Sequence, residues 1–281
     1  MSKTESEIIS LKKEIEKLNK KTASQKHIIK NLRRNFQGIV QLLTETISLD
    51  NRFLGGHLTR TAETTKAFCE FMKLPKDIVF LNYYAALLHD IGLVGSNSNI
   101  IEKITEELND SDKQIFLEHP ALGFEIINSI YSLKRIAAII KSHHENYDGT
   151  GFPDKLAGSE IPKEARVIHI INDYDINKFK LALSTEKACS RIESKSGSLY
   201  DPELVIKFLS FISHFEENNK GTSKSLNCEN LKPGMYLNQD IIMSNGLLLI
   251  PSGVILNKAM IGKIQSFSSM LLGHGQILVT Y

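Results

Sequence analysis

Apolar residues in the first 36 positions recur at alternating spacings of three and four, and charged residues fill most of the positions between them. The seam consists of Ile8, Leu11, Ile15, Leu18, Thr22, Gln25, Ile29, Leu32 and Phe36. A narrow apolar stripe with charged flanks is typical of a coiled coil. Residues 1–36 are therefore predicted to form a long helix that pairs in a parallel homodimer. The alternative is a single amphipathic helix that packs on its own domain.

Helical periodicity continues through residues 37–215, which predicts one mainly α domain. Separate helices are expected at about 112–118 and 120–130, with Asp112 capping the first. Loops are expected at about 92–111 and 145–163, and the second is dense in Gly, Asp and Pro. Long loops in a compact helical domain are commonly functional.

The last quarter of the chain has a different pattern. Polar residues at 216–225 predict a linker, and short apolar runs punctuated by Gly, Pro and Asn predict a small β-rich module at 226–281. The module contains no catalytic constellation of side chains. It could cover a pocket, mediate docking or stabilise a dimer, and the sequence does not separate these roles.

Composition excludes several classes of protein. With 34 basic and 32 acidic residues, the net charge of +2 argues against a dedicated nucleic-acid binder. The three cysteines form no Cys-x-x-Cys pair, which argues against a disulfide scaffold or a thiolate zinc site and suits a reducing compartment. No apolar run approaches the roughly 20 residues that span a bilayer, and the N-terminus lacks a signal-peptide pattern. We therefore expect a cytoplasmic protein without a membrane span.

The histidines are clustered at predicted helix ends beside the loops. A single histidine is usually a hydrogen-bonded core or surface residue, and His169 is interpreted in this way. The adjacent pairs His89-Asp90 and His143-His144, however, could each reach two neighbouring cations, and a carboxylate is the natural bridge. Nitrogen and oxygen ligands favour iron, manganese or zinc. Two such cations, about 3.5–4 Å apart, clamp a phosphodiester and activate water for in-line attack.

Several short motifs between about 50 and 210 carry a resemblance to a known family. They are Gly56-His57-Leu58-Thr59-Arg60, Leu87-Leu88-His89-Asp90-Ile91-Gly92, Glu118-His119-Pro120, His143-His144-Glu145, Asp148-Gly149-Thr150-Gly151-Phe152-Pro153, Ala165-Arg166 and Tyr200-Asp201-Pro202. Their order and spacing resemble the HD-GYP family, a branch of the HD phosphohydrolases. The resemblance implies an all-α domain with two or three divalent cations, usually iron or manganese. It also implies hydrolysis of cyclic di-GMP by metal-activated hydroxide, in bacterial cyclic dinucleotide signalling with a possible protein partner.

The resemblance also implies roles for individual residues. The implied metal ligands are His57, His89, Asp90, His119, His143, His144 and Asn172. Asp90 is the implied bridge, and His89 and Asp90 are the implied catalytic residues. The implied substrate-binding residues are Arg60, Gly149, Gly151, Phe152, Pro153, Arg166 and Lys178, and the Phe152 ring is predicted to stack on a base. Residues 141–187 hold seven basic against eight acidic residues, so the cations are expected to supply much of the positive charge.

Four positions depart from the family pattern. Leu93 replaces the usual lysine, Asn172 replaces an aspartate ligand, and Phe152 replaces the tyrosine. The segment 176–180 is short and lacks the usual Arg-Pro-Tyr stretch. Two hypotheses follow, an active cyclic di-GMP phosphodiesterase and a sensor or interaction module that binds metal, nucleotide or a partner without turnover. A third, an HD phosphohydrolase acting on another nucleotide, fits the Gly-rich loop and the paired histidines less well.

Overall fold

The computed structural model describes residues 3–96, 100, 103, 107–218, 221–273 and 275–280. The chain divides into two compact units, residues 1–46 and 47–281. Within the described ranges, no helix combines the length and the apolar character that crossing a bilayer requires. The mainly α fold predicted from the periodicity is confirmed.

The first helix, α1, covers Lys3–Asp50, so it continues beyond the predicted boundary at residue 36. The reason is local: Gly38 is the single glycine in the continuation and no proline interrupts it. The seam residues Leu11, Ile15, Leu18 and Leu32 are each more than half exposed in the single chain. Pairing of this helix in a dimer stays a prediction.

In the described residues from 51 to 218, seven further α-helices follow. They are α2 (Arg52–Phe71), α3 (Lys76–Leu88), α4 (Asp110–Asn128), α5 (Lys134–Lys141), α6 (Lys163–Asp175), α7 (Thr185–Glu193) and α8 (Pro202–Asn218). A short 3-10 turn at Ile91–Leu93 follows α3, and a π turn at Ile176–Lys180 follows α6. The helices pack around an apolar core that includes Phe68 of α2, Ile171 of α6 and Phe208 of α8. This core sets α2 beside α6.

The prediction of two helices around Pro120 was wrong, because α4 runs through this proline. Its N-cap is Asn109 rather than Asp112, and the Asn109 side chain accepts a hydrogen bond from the Asp112 backbone N–H. Pro120 has no N–H to donate to the carbonyl of Phe116, four residues earlier. The His119 ring occupies that carbonyl instead, with its Nδ1 2.5 Å away. The bond that the helix loses at Pro120 therefore orients a histidine.

The C-terminal module extends from β1 to β5. Its elements are β1 (Lys224–Asn227), β2 (Tyr236–Leu237), β3 (Ile241–Ile242), β4 (Leu248–Ile250), α9 (Lys258–Ser266) and β5 (Gln276–Thr280). Antiparallel pairing gives one sheet of order β1-β5-β2 and a separate β3-β4 pair. The predicted linker 216–225 is shorter than expected, because α8 continues to Asn218 and Lys224 already pairs with Val279.

Candidate metal centre

Side chains from five segments meet at one buried point beside the ends of three helices. His57 lies on α2, His89 and Asp90 follow α3, His119 lies on α4, His143 and His144 follow α5, and Asn172 lies on α6. All seven predicted ligands are thus brought together in the described structure. His89 and His143 are completely buried, and Asp90 exposes only 6% of its surface.

Asp90 lies between two groups of histidines. Its Oδ1 is 3.1 Å from His119 Nε2 and 3.6 Å from His143 Nε2. Its Oδ2 is 3.3 Å from His89 Nε2 and 3.7 Å from His57 Nε2. Each carboxylate oxygen therefore faces a different histidine pair, which is the geometry of a bridging ligand.

The ligand atoms define two candidate cation positions. The three-histidine position consists of Asp90, His119, His143 and His144. The two-histidine position consists of His57, His89 and Asp90, with Asn172 beside it. Within each group of histidines and Asp90, the ligand atoms lie within 4.8 Å of one another.

The outer nitrogen of each central ring is held by a backbone carbonyl. In His89, His119 and His143, Nδ1 lies 2.5–2.7 Å from the carbonyl oxygen three residues earlier. A carbonyl only accepts, so each Nδ1 carries a hydrogen, and each Nε2 faces the centre and presents a lone pair when its ring is neutral. The ends of α3 and α5 supply two of these carbonyls, because both helices stop just before their histidines, and Pro120 frees the third within α4.

This arrangement of lone pairs fits a divalent cation. His119 Nε2 lies 3.2 Å from His143 Nε2, and His57 Nε2 lies 3.2 Å from His89 Nε2. When each ring is neutral and carries its hydrogen on Nδ1, no proton lies between either pair, and both pairs also face a carboxylate. Cations at the two positions would turn these repulsive contacts into ligand bonds.

Burial sets the protonation states that a metal site requires. It lowers the pKa of His143 to about 3 and lowers the pKa of His144 well below its usual value, so both rings are neutral ligands. Burial opposes ionisation of Asp90, but His89 and the other imidazoles around it hold the pKa of Asp90 well below its usual range. Burial also acts to lower the pKa of His89, and the Asp90 charge outweighs it and raises that pKa. A cation at the two-histidine position would compete with the second proton that His89 binds.

Asn172 points its oxygen towards the two-histidine position. Its Oδ1 lies 3.0 Å from His57 Nε2 and 3.3 Å from His89 Nε2, and its Nδ2 donates to Asp173 Oδ1 at 3.0 Å. Asp173 does not replace the missing carboxylate, because its other oxygen accepts a hydrogen bond from the Tyr200 hydroxyl at 2.7 Å. Asn172 offers an oxygen ligand but no charge, so this position holds less negative charge than an aspartate would give it.

Sequence reasoning missed Asp175, which positions the His57 ring through its Nδ1, the nitrogen that faces away from the centre. The Asp175 Oδ2 accepts from His57 Nδ1 at 2.7 Å, and the Arg60 guanidinium donates to the two oxygens of Asp175 at 2.6 and 3.0 Å. Burial opposes ionisation of Asp175, but the charge of Arg60 and the bond from His57 lower the pKa of this carboxyl. The signal was present in the sequence, since Asp175 follows Asn172 by three residues on one helix and so shares its face.

A cavity of about 590 Å³ opens beside the centre. Its wall includes His57, Asp90, His144 and Asn172. The basic residues on the wall are Arg60, Lys103, Lys180, Arg191 and Lys195, and all except Lys180 lie outside the stretch 141–187. The fold therefore gathers positive charge that is dispersed in the sequence. Leu93 also lines the cavity and packs with Ile100 and Leu108. The cavity surface is therefore apolar at the position where the family has a lysine.

Of the seven predicted substrate-binding residues, all within the described ranges, Arg60 alone lines this cavity. The Phe152 ring stacks on His144 instead, with 4.9 Å between the ring centroids, and its loop partners are Gly149, Gly151 and Pro153. Arg166 forms an ion pair with Asp201, and Lys178 donates to the Thr185 hydroxyl. His144 covers one face of the Phe152 ring, and the base-stacking role of Phe152 stays a prediction.

Comparison with known proteins now identifies the family. The model of the HD domain matches residues 41–204, more than half of the chain, and the chain belongs to this family. Its domain is of the HD-GYP type.

The relatives are cyclic dinucleotide phosphodiesterases by name. The chain is 30% identical over 207 residues to a cyclic di-GMP phosphodiesterase of Vibrio cholerae, covering 64% of this chain and 41% of the relative. It is 33% identical over 159 residues to a cyclic di-GMP phosphodiesterase of Thermotoga maritima, covering 54% and 43%. A 3'3'-cGAMP-specific phosphodiesterase 2 of Vibrio cholerae is 26% identical over 199 residues, covering 68% and 37%. The matches thus span about two fifths of the length of these relatives.

Among solved structures, the HDG"Y"P protein Bd1817 of Bdellovibrio bacteriovorus superposes with a TM-score of 0.50. The sequence identity is 18%, over 56% of this chain and 51% of that chain. This likeness shows the fold alone.

Proposed function

We propose that this chain is a metal-dependent phosphodiesterase that hydrolyses cyclic di-GMP. The observation that carries the proposal is the bridging geometry of Asp90, whose two oxygens face two groups of imidazole nitrogens. The centre opens into a cavity whose volume lies within the usual range of ligand pockets. The names of the relatives support the substrate class.

Two cations, iron or manganese, fit the two groups of ligands. The three-histidine position and the two-histidine position would each hold one cation, with Asp90 shared between them. When bound, such cations neutralise phosphodiester charge and activate water for hydrolysis. The chain itself fixes the ligand nitrogens through the backbone carbonyls, and His89 with Asp90 lies at the centre of this arrangement.

The cavity wall suits an anionic dinucleotide. Arg191 and Lys195 lie on it, on and just after α7, and they bring positive charge towards a substrate that carries two phosphodiester groups. Phe116 and Tyr200 also line the wall and offer aromatic surface to a nucleobase. These two rings are the proposed stacking surfaces.

The test is hydrolysis under controlled metal loading. Protein purified without oxygen and loaded with Fe²⁺ or Mn²⁺ is expected to convert cyclic di-GMP to the linear dinucleotide or GMP, as separated by chromatography. Chelation should remove the activity and the same cation should restore it. The 3'3' cyclic GMP-AMP dinucleotide, run in parallel, tests selectivity. Tight binding of intact cyclic di-GMP to fully loaded protein would contradict the proposal and favour the non-hydrolytic sensor.

The uncharged Asn172 favours that sensor as the second candidate, and one substitution separates the two. Asn172→Asp is expected to tighten cation binding at the two-histidine position by about tenfold, equivalent to about 1.4 kcal/mol, because it adds a carboxylate beside His57 and His89. Calorimetric titration with Mn²⁺ measures this change. The control is Asn177→Asp, which adds the same charge to the cavity wall outside the two ligand groups.

The same variant also reports on turnover. If the natural chain is silent and Asn172→Asp hydrolyses cyclic di-GMP, the chain is a binding module with a weakened centre. Unchanged affinity in Asn172→Asp would show that residue 172 is not a ligand. Homodimerisation through residues 1–36, a protein partner in signalling and a cytoplasmic location stay predictions.

A further inference from the structure

The C-terminal module touches the helix that carries His57. A Cβ atom added to Gly56 would lie 3.3 Å from Leu248 Cδ2 and 3.7 Å from Pro251 Cβ. Strand β4 and the turn after it therefore pack directly on the turn of α2 that precedes His57. No side chain at position 56 separates them.

The turn that contains Gly253, which follows β4, also contacts Phe179 and Arg60. A Cβ atom on Gly253 would lie 2.8 Å from Phe179 Cε1, closer still to Phe179 Cζ, and 3.1 Å from Arg60 Cδ. The Phe179 ring in turn covers the Arg60 guanidinium, with 4.1 Å from Cζ to the ring centroid. Gly253, Phe179 and Arg60 thus form one contact chain.

The turn is fixed within its own module. Gly253 N donates to Leu237 O at 2.8 Å, and the Ser252 N–H and hydroxyl both donate to Asp240 Oδ1, at 2.8 and 2.9 Å. A turn that is held by three hydrogen bonds yields little when a neighbour is pushed against it. A side chain added at position 253 would therefore displace Phe179 and Arg60 rather than the turn itself.

We propose that the C-terminal module is a positioning element for the two-histidine position. The Gly253 turn holds Phe179 over Arg60, Arg60 holds both oxygens of Asp175, and Asp175 binds His57 Nδ1. This chain of contacts turns His57 Nε2 towards the centre. It ends at His57, so the module acts on one cation position and leaves the three-histidine position intact. The inference rests on the proposed function only in that the centre binds two cations.

The test substitutes Gly253 and counts cations. Gly253→Ala is expected to lower the Mn²⁺ content from two ions to one per chain, measured by elemental analysis after dialysis. The electron paramagnetic resonance signal should change from that of a coupled pair to that of an isolated ion. The matched control is Gly246→Ala, because Gly246 has φ +87° against +86° for Gly253, and nothing lies within 4 Å of its added Cβ. Both variants carry the same backbone strain, and the control is expected to keep two ions.

Further variants make the result decisive. Asp175→Asn cuts the contact chain near its end, and adding Gly253→Ala to it should cause no further loss. Independent, additive losses, or two ions in Gly253→Ala, would overturn the inference. Should Gly253→Ala not fold, Phe179→Leu removes the ring over Arg60 without altering the module, and two ions in that variant would also overturn it. A natural chain that binds no cation contradicts the proposed function instead.

Discussion

Asp90→Asn is expected to abolish cation binding at both positions and to reduce cyclic di-GMP hydrolysis by about a thousandfold or more. Asparagine has nearly the same shape, but it removes the charge that both histidine groups share. Cations in such sites contribute several kcal/mol to hydrolysis, and about 4 kcal/mol corresponds to that factor. Elemental analysis and steady-state turnover of protein loaded under the same conditions measure the two effects.

The matched control for Asp90→Asn is Asp201→Asn. Asp201 has the same exposure of 6%, but it caps α8 and pairs with Arg166. This control is expected to lower the melting temperature while the protein retains both cations. Mn²⁺ should raise the melting temperature of the natural chain and of the control, and should not raise that of Asp90→Asn. Full cation content in Asp90→Asn would show that the carboxylate is not the bridge.

Gly92→Ala is expected to lower turnover by about a hundredfold, although residue 92 carries no ligand atom. The turn after Asp90 lies so close to α4 that an added Cβ would overlap the carbonyl oxygen of His119 and lie 2.9 Å from its carbonyl carbon. Both neighbours are backbone atoms of a helix, which cannot move aside cheaply. Asp90 and His119 would separate, and displacements of about 1 Å at a reactive centre commonly cost that factor.

The Gly92→Ala variant should also lose stability, by about 1–3 kcal/mol, because it overpacks a buried contact. Urea denaturation measures this loss. Gly262→Ala is the control, since its added Cβ on α9 meets nothing within 4 Å. It is expected to keep full activity and to gain up to about 1 kcal/mol, as alanine favours a helix. Natural turnover in Gly92→Ala would show that the approach of the turn to α4 does not set the ligand geometry.

The position of Asp175 shows where sequence reasoning stopped short. Its spacing from Asn172 places both on one face of α6, which is local information. Its function is to hold His57, which lies 118 residues earlier in the chain, and this depends on how α2 packs on α6. A residue that acts through a distant partner is visible only when that partner is in place.

The sequence by itself determined the helical domain, the ligand types and the order of the motifs. These features are local, because short stretches of sequence are enough to recognise helical periodicity and histidines at helix ends. The tertiary structure alone decided which nitrogen faces which oxygen of Asp90, that Arg191 and Lys195 reach the cavity, that Phe152 lies on His144, and that the C-terminal module touches Arg60. Each of these depends on the packing of segments far apart in the chain, and no local pattern encodes the distance between them.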